Sequence, residues 1–377
     1  MSGQKESSRL LGYVIVTTLT FCVLGVYALL AFNLKVFSPI AKAASDYSFE
    51  DFYYKILGSV DDEDLSNVVT IVDVTELTSR SELAELMATV SAMKPKVMGI
   101  DIVFEGLKED SLADHKLMET AGKCHNAVFA YKLIDRTDEA VHSFFMPGDS
   151  LKEGFVNMPR QLYGGLKRSL NIGRVHQGQL VPSFVKQVAD VYAGIETVAL
   201  ADKELRINFS PLRFSVIPYP LVTQHPELIA DRVVLIGAMK EETDMHYTPQ
   251  GKMAGTELLA FAVETLLRQN KLLVAPGWIV AITSFVLVLT VVILRAKYLR
   301  FAAKMPIVLK TIMTIELTVG LVMFIMIAAI VWVGFMLFSQ YHVSLNLTYT
   351  VAAIAFIYTS NNLYETVKGQ ITKKKTS

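Results

Sequence analysis

Two cysteines are all that this 377-residue chain holds. Cys22 lies in an apolar run and Cys124 in the mixed middle of the chain. One in each compartment excludes a disulfide within the middle region. Neither has a Cys or His partner at zinc-finger spacing, so both read as small buried hydrophobes. Net charge is also lacking: 36 Lys and Arg balance 36 Asp and Glu. That removes the electrostatic footprint expected of a nucleic-acid binder. No P-loop, GxGxxG, GxSxG or HExxH pattern is present, so the expectation is a chain with no enzymatic activity, no cofactor and no metal.

Apolar residues are plentiful, at 52%, and they are clumped. Dense runs at both ends around a mixed middle predict a membrane protein carrying one sizeable non-membrane domain. Residues 1–10 are polar and basic. Residues 11–33 are apolar and uncharged, about 22 residues of which span about 33 Å as a helix. This reads as an uncleaved signal anchor, with cleavage near Ala41–Ala44 as the alternative. Further spans are expected at 276–294, 311–338 and 343–360, the last two joined by the turn Ser339–His342. Lys5 and Arg9, the basic loop 295–310 and the basic tail 361–377 then share one side. The positive-inside rule makes that side cytoplasmic and puts residues 34–275 outside. Glu316 falls several residues inside the third span, near its cytoplasmic end, where it can snorkel past Lys310. Asn346 is expected to hydrogen-bond between helices.

In the middle region, Lys35–Leu57 reads as an amphipathic, aromatic-rich helix kinked at Pro39. Val68–Val74 is a β-branched run, so a buried strand. Ser79 with Glu82 forms a capping box, and Leu83, Leu86, Met87 and Val90 recur at helical spacing up to Lys94-Pro95. Val97–Phe104 is a second strand, completing a βαβ unit with parallel strands. Helix Ser111–Lys123, strand Ala127–Leu133, helix Pro182–Tyr192, strand Leu205–Phe209, strand Val233–Gly237 and helix Ala254–Asn270 follow. Arg136–Val181 is rich in glycine turns and predicts loops with short strands. The fold class is therefore α/β, a mostly parallel sheet flanked by helices, with four transmembrane helices, one before the domain and three after. The closing helix is expected to continue through Pro276-Gly277 into the second span.

Several of these pieces together resemble one family. Asp51-Phe52-Tyr53-Tyr54 follows the first span. Gly99-Ile100-Asp101-Ile102-Val103-Phe104 carries an Asp in the second strand. Val233–Gly237 is followed by Asp244, His246-Tyr247-Thr248-Pro249 and Gly255-Thr256-Glu257. Over about Ala44–Asn270 the chain resembles the CHASE2 domain, an extracytoplasmic sensory domain of bacterial signalling proteins. Leu170–Arg174 departs from that pattern, in which an Asp-Gly turn tends to precede a basic residue. Members usually continue into an output domain such as a cyclase or kinase, whereas Ser377 follows the last expected span by about 17 residues.

Ligands in open α/β sheets sit at the carboxyl ends of parallel strands. Asp73, Asp101, Asp244, His246, Thr248 and Glu257 all fall at or near such ends, so one reading joins them in a pocket for an unidentified extracytoplasmic ligand. The other reading ties Asp244, Thr248 and Glu257 to turns and to the start of the closing helix, and Asp101 to backbone N–H groups. Two functions follow. The first is a sensor subunit in the bacterial inner membrane that binds a small molecule or an envelope protein and signals through the closing helix to a separate partner. The second is a non-signalling assembly subunit of an envelope complex. The expected contacts are the lipid bilayer, that ligand and that partner, with no nucleic acid. Sensors of this layout are often homodimers, and no heptad run here supports that.

Overall fold

A computed structural model of the chain describes residues 2–33, 49–57, 64–108, 110–134, 137–146, 151–159, 165–209, 212–268 and 272–376. The chain divides into two compact units, residues 54–272 and residues 1–53 with 273–377. Helices α1 (Ser2–Asn33) and α2 (Phe49–Leu57) come first. The rest of the expected Lys35–Leu57 helix, with Pro39, lies outside the described residues.

In the middle unit, β1 (Asp64–Asp73) buries its last five residues. The capping box forms as read. Ser79 Oγ accepts from the Glu82 N–H at 3.1 Å, and the Glu82 carboxylate accepts from the Ser79 N–H at 3.3 Å, opening α3 (Arg80–Ala92). Lys94 takes a left-handed φ of 57° before Pro95. Strand β2 (Val97–Ile100) is shorter than expected and leaves Asp101 just past its end. Helix α4 (Ser111–Lys123) and β3 (Ala127–Ile134) fall where the pattern puts them. The glycine-rich stretch holds β4 (Glu139–Val141), β5 (Lys152–Phe155), β6 (Ser169–His176) and β7 (Gln179–Pro182). Gln177 and Gly178, both at positive φ, make the two-residue turn between β6 and β7.

Helix α5 (Phe184–Ala193), β8 (Lys203–Arg206, earlier than expected), β9 (Leu212–Pro218) and β10 (Val233–Gly237) follow. A hairpin of β11 (Met245–Thr248) and β12 (Gly251–Ala254) leads into α6 (Gly255–Leu267). All but two of the thirteen residues of α6 are buried, as expected for a helix apolar on most sides.

The main sheet runs β4-β3-β2-β10-β1-β9, with β5 also paired to β3. Every pairing in it is parallel except β3 with β4. The expected βαβ unit is present, but β10 lies between its two strands. Helices α3 and α4 cover one face, where Leu83, Met87, Val90 and Leu117 join Val72, Met98, Ile100, Val234 and Ile236 in one core. Helices α5 and α6 cover the other. Gly99 allows the close approach there, since a Cβ at that point would lie 2.9 Å from the Phe184 ring and 2.7 Å from Leu235. The result is a three-layer, doubly wound α/β domain.

In the other unit, three helical stretches among the described residues are long and apolar enough to cross a membrane: Ser7–Leu30, Gly277–Ala302 and Glu316–Tyr341. The closing helix α6 does not run into a span. It ends at Leu267, and β13 (Leu273–Val274) pairs in parallel with β14 (Val343–Ser344). The Leu273 N–H donates to the His342 carbonyl at 2.9 Å and the Ala275 N–H to the Ser344 carbonyl at 3.1 Å. Pro276 then stands immediately before α7 (Gly277–Ala302), where its missing N–H is tolerated.

The third apolar run is also interrupted. Helix α8 (Ile307–Thr314) stops at Ile315, whose ψ of 138° is extended, and α9 (Glu316–Tyr341) begins after it. Glu316 therefore lies in the first turn of α9, at the very start of that apolar stretch rather than several residues inside it, where the helix dipole favours a carboxylate. The last run is divided among β14, α10 (Thr348–Ala355) and α11 (Ile357–Thr376). Asn346 accepts from the Thr348 N–H at 3.2 Å, turning the chain into α10 rather than bridging two helices. Cys22 is exposed on α1, contrary to its reading as buried, while Cys124 is buried and burial pushes its thiol up.

Candidate functional site

Strands β1, β10 and β2 end side by side. The helices after β1 and β2 lie on one face and the helix after β10 on the other, so the connecting loops diverge at that point. Open α/β sheets form ligand crevices there. The crevice has a volume of about 910 Å³ and is walled by the segments after β1, β2 and β10, with Lys132 and Asn157 at one end.

Asp101 lies at its floor. The Asp101 N–H donates to the Ile236 carbonyl at 2.9 Å, which fixes the backbone beside β10. The side chain is half-buried, and its Oδ2 accepts from Thr256 Oγ1 at 2.7 Å. Thr256 belongs to the first turn of α6. Loss of water around the carboxyl pushes Asp101 up to about 7. The Thr256 hydrogen bond opposes this, the Asp244 carboxylate reinforces it, and Lys132 and His246 oppose it.

Two glycines make this arrangement possible. A side chain at Gly237 would collide with Thr256, and one at Gly255 with the Asp244 carboxylate. Asp244 thereby sits against the start of α6, where the helix dipole favours negative charge. His246 Nε2 is 3.4 Å from Asp244 Oδ1.

Of the six residues singled out by sequence, Asp101, Asp244 and His246 line the crevice. The other three do not. Asp73 Oδ1 accepts from the Thr75 N–H at 2.9 Å, from the Thr75 hydroxyl and from the Met239 N–H at 3.2 Å, tying the ends of β1 and β10 together. Thr248 is buried and donates to the Gly251 carbonyl at 2.9 Å inside the β11–β12 turn. Glu257 bonds back to the Ala254 backbone at the start of α6. Burial pushes its carboxyl up, and that bond opposes the shift.

Sequence reasoning missed Arg80, Lys132 and Thr256. Arg80 Nη1 donates to Asp114 Oδ1 and, at 2.9 Å, to the Gly106 carbonyl. Asp114 Oδ2 in turn accepts from the Lys108 N–H at 2.7 Å, so this pair shapes the rim loop after β2. The hydrogen bond from Arg80 holds the Asp114 carboxyl below the usual carboxylate range. Arg80 and Asp114 are 34 residues apart, and no local pattern links them. Thr256 was visible only as part of a signature.

A doubly wound domain with a polar crevice, carried between apolar helices of membrane-crossing length, is the architecture of a membrane-anchored α/β domain. Among the described residues no group of three His, Cys, Asp or Glu stands together to hold a metal. A family model for the CHASE2 domain matches residues 17–294, and the chain belongs to that family. CHASE2 is a non-catalytic, extracytoplasmic sensory domain, and this chain is a multi-pass bacterial inner-membrane protein with its domain outside the cytoplasm. Comparison with curated proteins and with solved structures gave no match.

Proposed function

We propose that the domain senses a ligand in the crevice at the carboxyl ends of β1, β10 and β2, and that occupancy is passed through α6 to the membrane helices and read by a separate protein. One observation carries this reading, the 2.7 Å hydrogen bond from Thr256 Oγ1 to Asp101 Oδ2. It joins the floor of the crevice to the first turn of the helix that leads toward α7. A ligand that competes for Asp101 changes what holds α6 in place, and that difference in affinity between two states is what drives a switch. Among the six sequence candidates, Asp101, Asp244 and His246 are the ligand-facing ones in this reading.

The expected fourth crossing at 343–360 is proposed to be made by α10 and the start of α11, the rest of α11 being the basic tail. Its support is the packing along α1. A Cβ at Gly12 would lie 3.0 Å from the Tyr364 hydroxyl, and the Tyr27 and Phe356 rings stack at 5.0 Å, so the two stretches run antiparallel. Arg300 of α7 also reaches the Tyr13 hydroxyl at 3.1 Å. The beginning of α1, the end of α7 and α11 thus share one end of this unit. That end carries the basic loop and tail, the surfaces offered to a cytoplasmic partner.

The test is mild detergent extraction of the tagged chain from its native membrane, followed by mass spectrometry of what copurifies. A cytoplasmic kinase, cyclase or regulator at comparable abundance supports the sensor. Its yield should then change at least twofold in Thr256→Val. Envelope proteins alone, unaffected by that substitution, would replace this reading with the assembly subunit.

A further inference from the structure

The chemistry of the crevice narrows what it takes, and this step rests on the crevice being the ligand site. The usual occupants of switch-point crevices are phosphates, received by a helix N-terminus or by an arginine fork. Both receivers are already engaged here. The Asp244 carboxylate packs against Gly255 at the start of α6, a negative charge where a phosphate would sit. The Arg80 guanidinium is committed to Asp114 and to the Glu105 and Gly106 carbonyls.

Glu105, Lys108, Glu241 and His246 also line the crevice, and two unlike features stand out among what remains. On the floor, Asp244 lies close enough to raise the cost of charge on Asp101, one oxygen of which is bonded to Thr256. Toward the β3 end stands Lys132, whose ammonium makes no hydrogen bond or ion pair with any described residue and still acts electrostatically on Asp101. Phe129 of β3 is in register with Ile100 of β2, so Lys132 stands two residues beyond the level of Asp101 on the neighbouring strand. With a strand spacing of about 4.8 Å and a rise of about 3.3 Å per residue, their Cα atoms are about 8 Å apart. That separation suits a molecule presenting a cation to the acidic floor and an anion to the lysine. Ile102, Val156, Met158 and Leu259 add apolar wall.

We infer that the crevice binds a small zwitterion carrying a primary ammonium and a carboxylate, of amino-acid to short-peptide size. The ammonium sits on Asp101 and Asp244 and the carboxylate faces Lys132. The crevice volume of about 910 Å³ accommodates the larger end of that range.

Isothermal titration calorimetry on the full chain in nanodiscs tests this. The probes are the twenty L-amino acids and trialanine, then the N-acetyl and C-amide forms of whichever binds. Each blocked form should bind at least tenfold more weakly. Asp101→Asn should abolish discrimination against the N-acetyl form, and Lys132→Met discrimination against the C-amide form. A global loss of folding cannot produce that crossed pattern. Equal binding of the blocked forms, or no binding by any zwitterion, overturns the inference. Binding of cadaverine or glutarate in place of the zwitterions also overturns it, while leaving the crevice a ligand site. The sensor reading itself fails or survives separately, in the copurification.

Discussion

At the scale of single residues, Asp101 is where sequence and fold meet. It was marked by its place in the second strand, yet its partner Thr256 is 155 positions away. Its carboxyl is raised to about 7, so between the unfolded value and about 7 the folded state holds a proton that the unfolded chain has released. Stability therefore falls as pH rises through that window and levels off above it. Asp101→Asn should flatten this decline, as followed by chemical unfolding from about pH 4 to 8. Asp114 has the opposite sign. Its carboxyl is lowered by Arg80, so its contribution is present above the unfolded value and is lost on acidification. Arg80→Ala should lower Tm by several degrees at pH 7 and loosen the rim loop, seen as faster amide exchange at Gly106 and Lys108. Ser79→Ala removes only a local cap and should cost about 1 kcal/mol in a denaturant titration, with the crevice unchanged. The capping box was legible because its partners lie three residues apart. The Arg80–Asp114 pair was not, because only tertiary packing brings α3 and α4 together.

At the scale of elements, the strands and helices of the middle domain follow their local patterns, and the connection toward the membrane does not. Apolar continuity between α6 and α7 suggested one helix. The chain instead leaves the helix at Leu267 and forms β13 against β14. A two-residue parallel pairing has no sequence signature, since the register partners are 70 positions apart. The pairing joins the entry to α7 and the turn between α9 and α10, so a pull at Leu273 acts on both. Glu50 and Tyr53 of α2 reinforce the same place: Ser344 Oγ donates to Glu50 Oε1, and the Tyr53 ring stacks on Phe338 at 4.8 Å. Val274 and Ser344 are register partners, within reach of a disulfide. Val274→Cys with Ser344→Cys, in a Cys22→Ala background, should cross-link under oxidation and lock any ligand-dependent change in partner yield at one value. A reductant should restore the change. An unaltered response in the cross-linked protein would remove β13–β14 from the route.

At the scale of the whole molecule, the alternation of apolar and mixed stretches and the placement of Lys and Arg determined a membrane protein with its domain outside. Both depend only on transfer free energies and on which charges cross a bilayer. The number of crossings is a finer matter. If α10 and α11 complete a fourth, a membrane-impermeant maleimide should label Gln340→Cys on intact spheroplasts and label Thr376→Cys only after permeabilisation, again without Cys22. Labelling of Thr376→Cys from outside would leave three crossings. Periodicity and turn chemistry also determined the individual strands and helices and the α/β class, because each is decided within a few residues. Tertiary structure alone decided that β10 inserts between β1 and β2, which creates the crevice. It alone decided that Asp101 faces Thr256 while Asp73, Thr248 and Glu257 serve turns and a helix start, and that α6 ends at Leu267 instead of continuing into α7. Each of these depends on contacts between segments distant in sequence, and no local pattern encodes which of several compatible segments will meet.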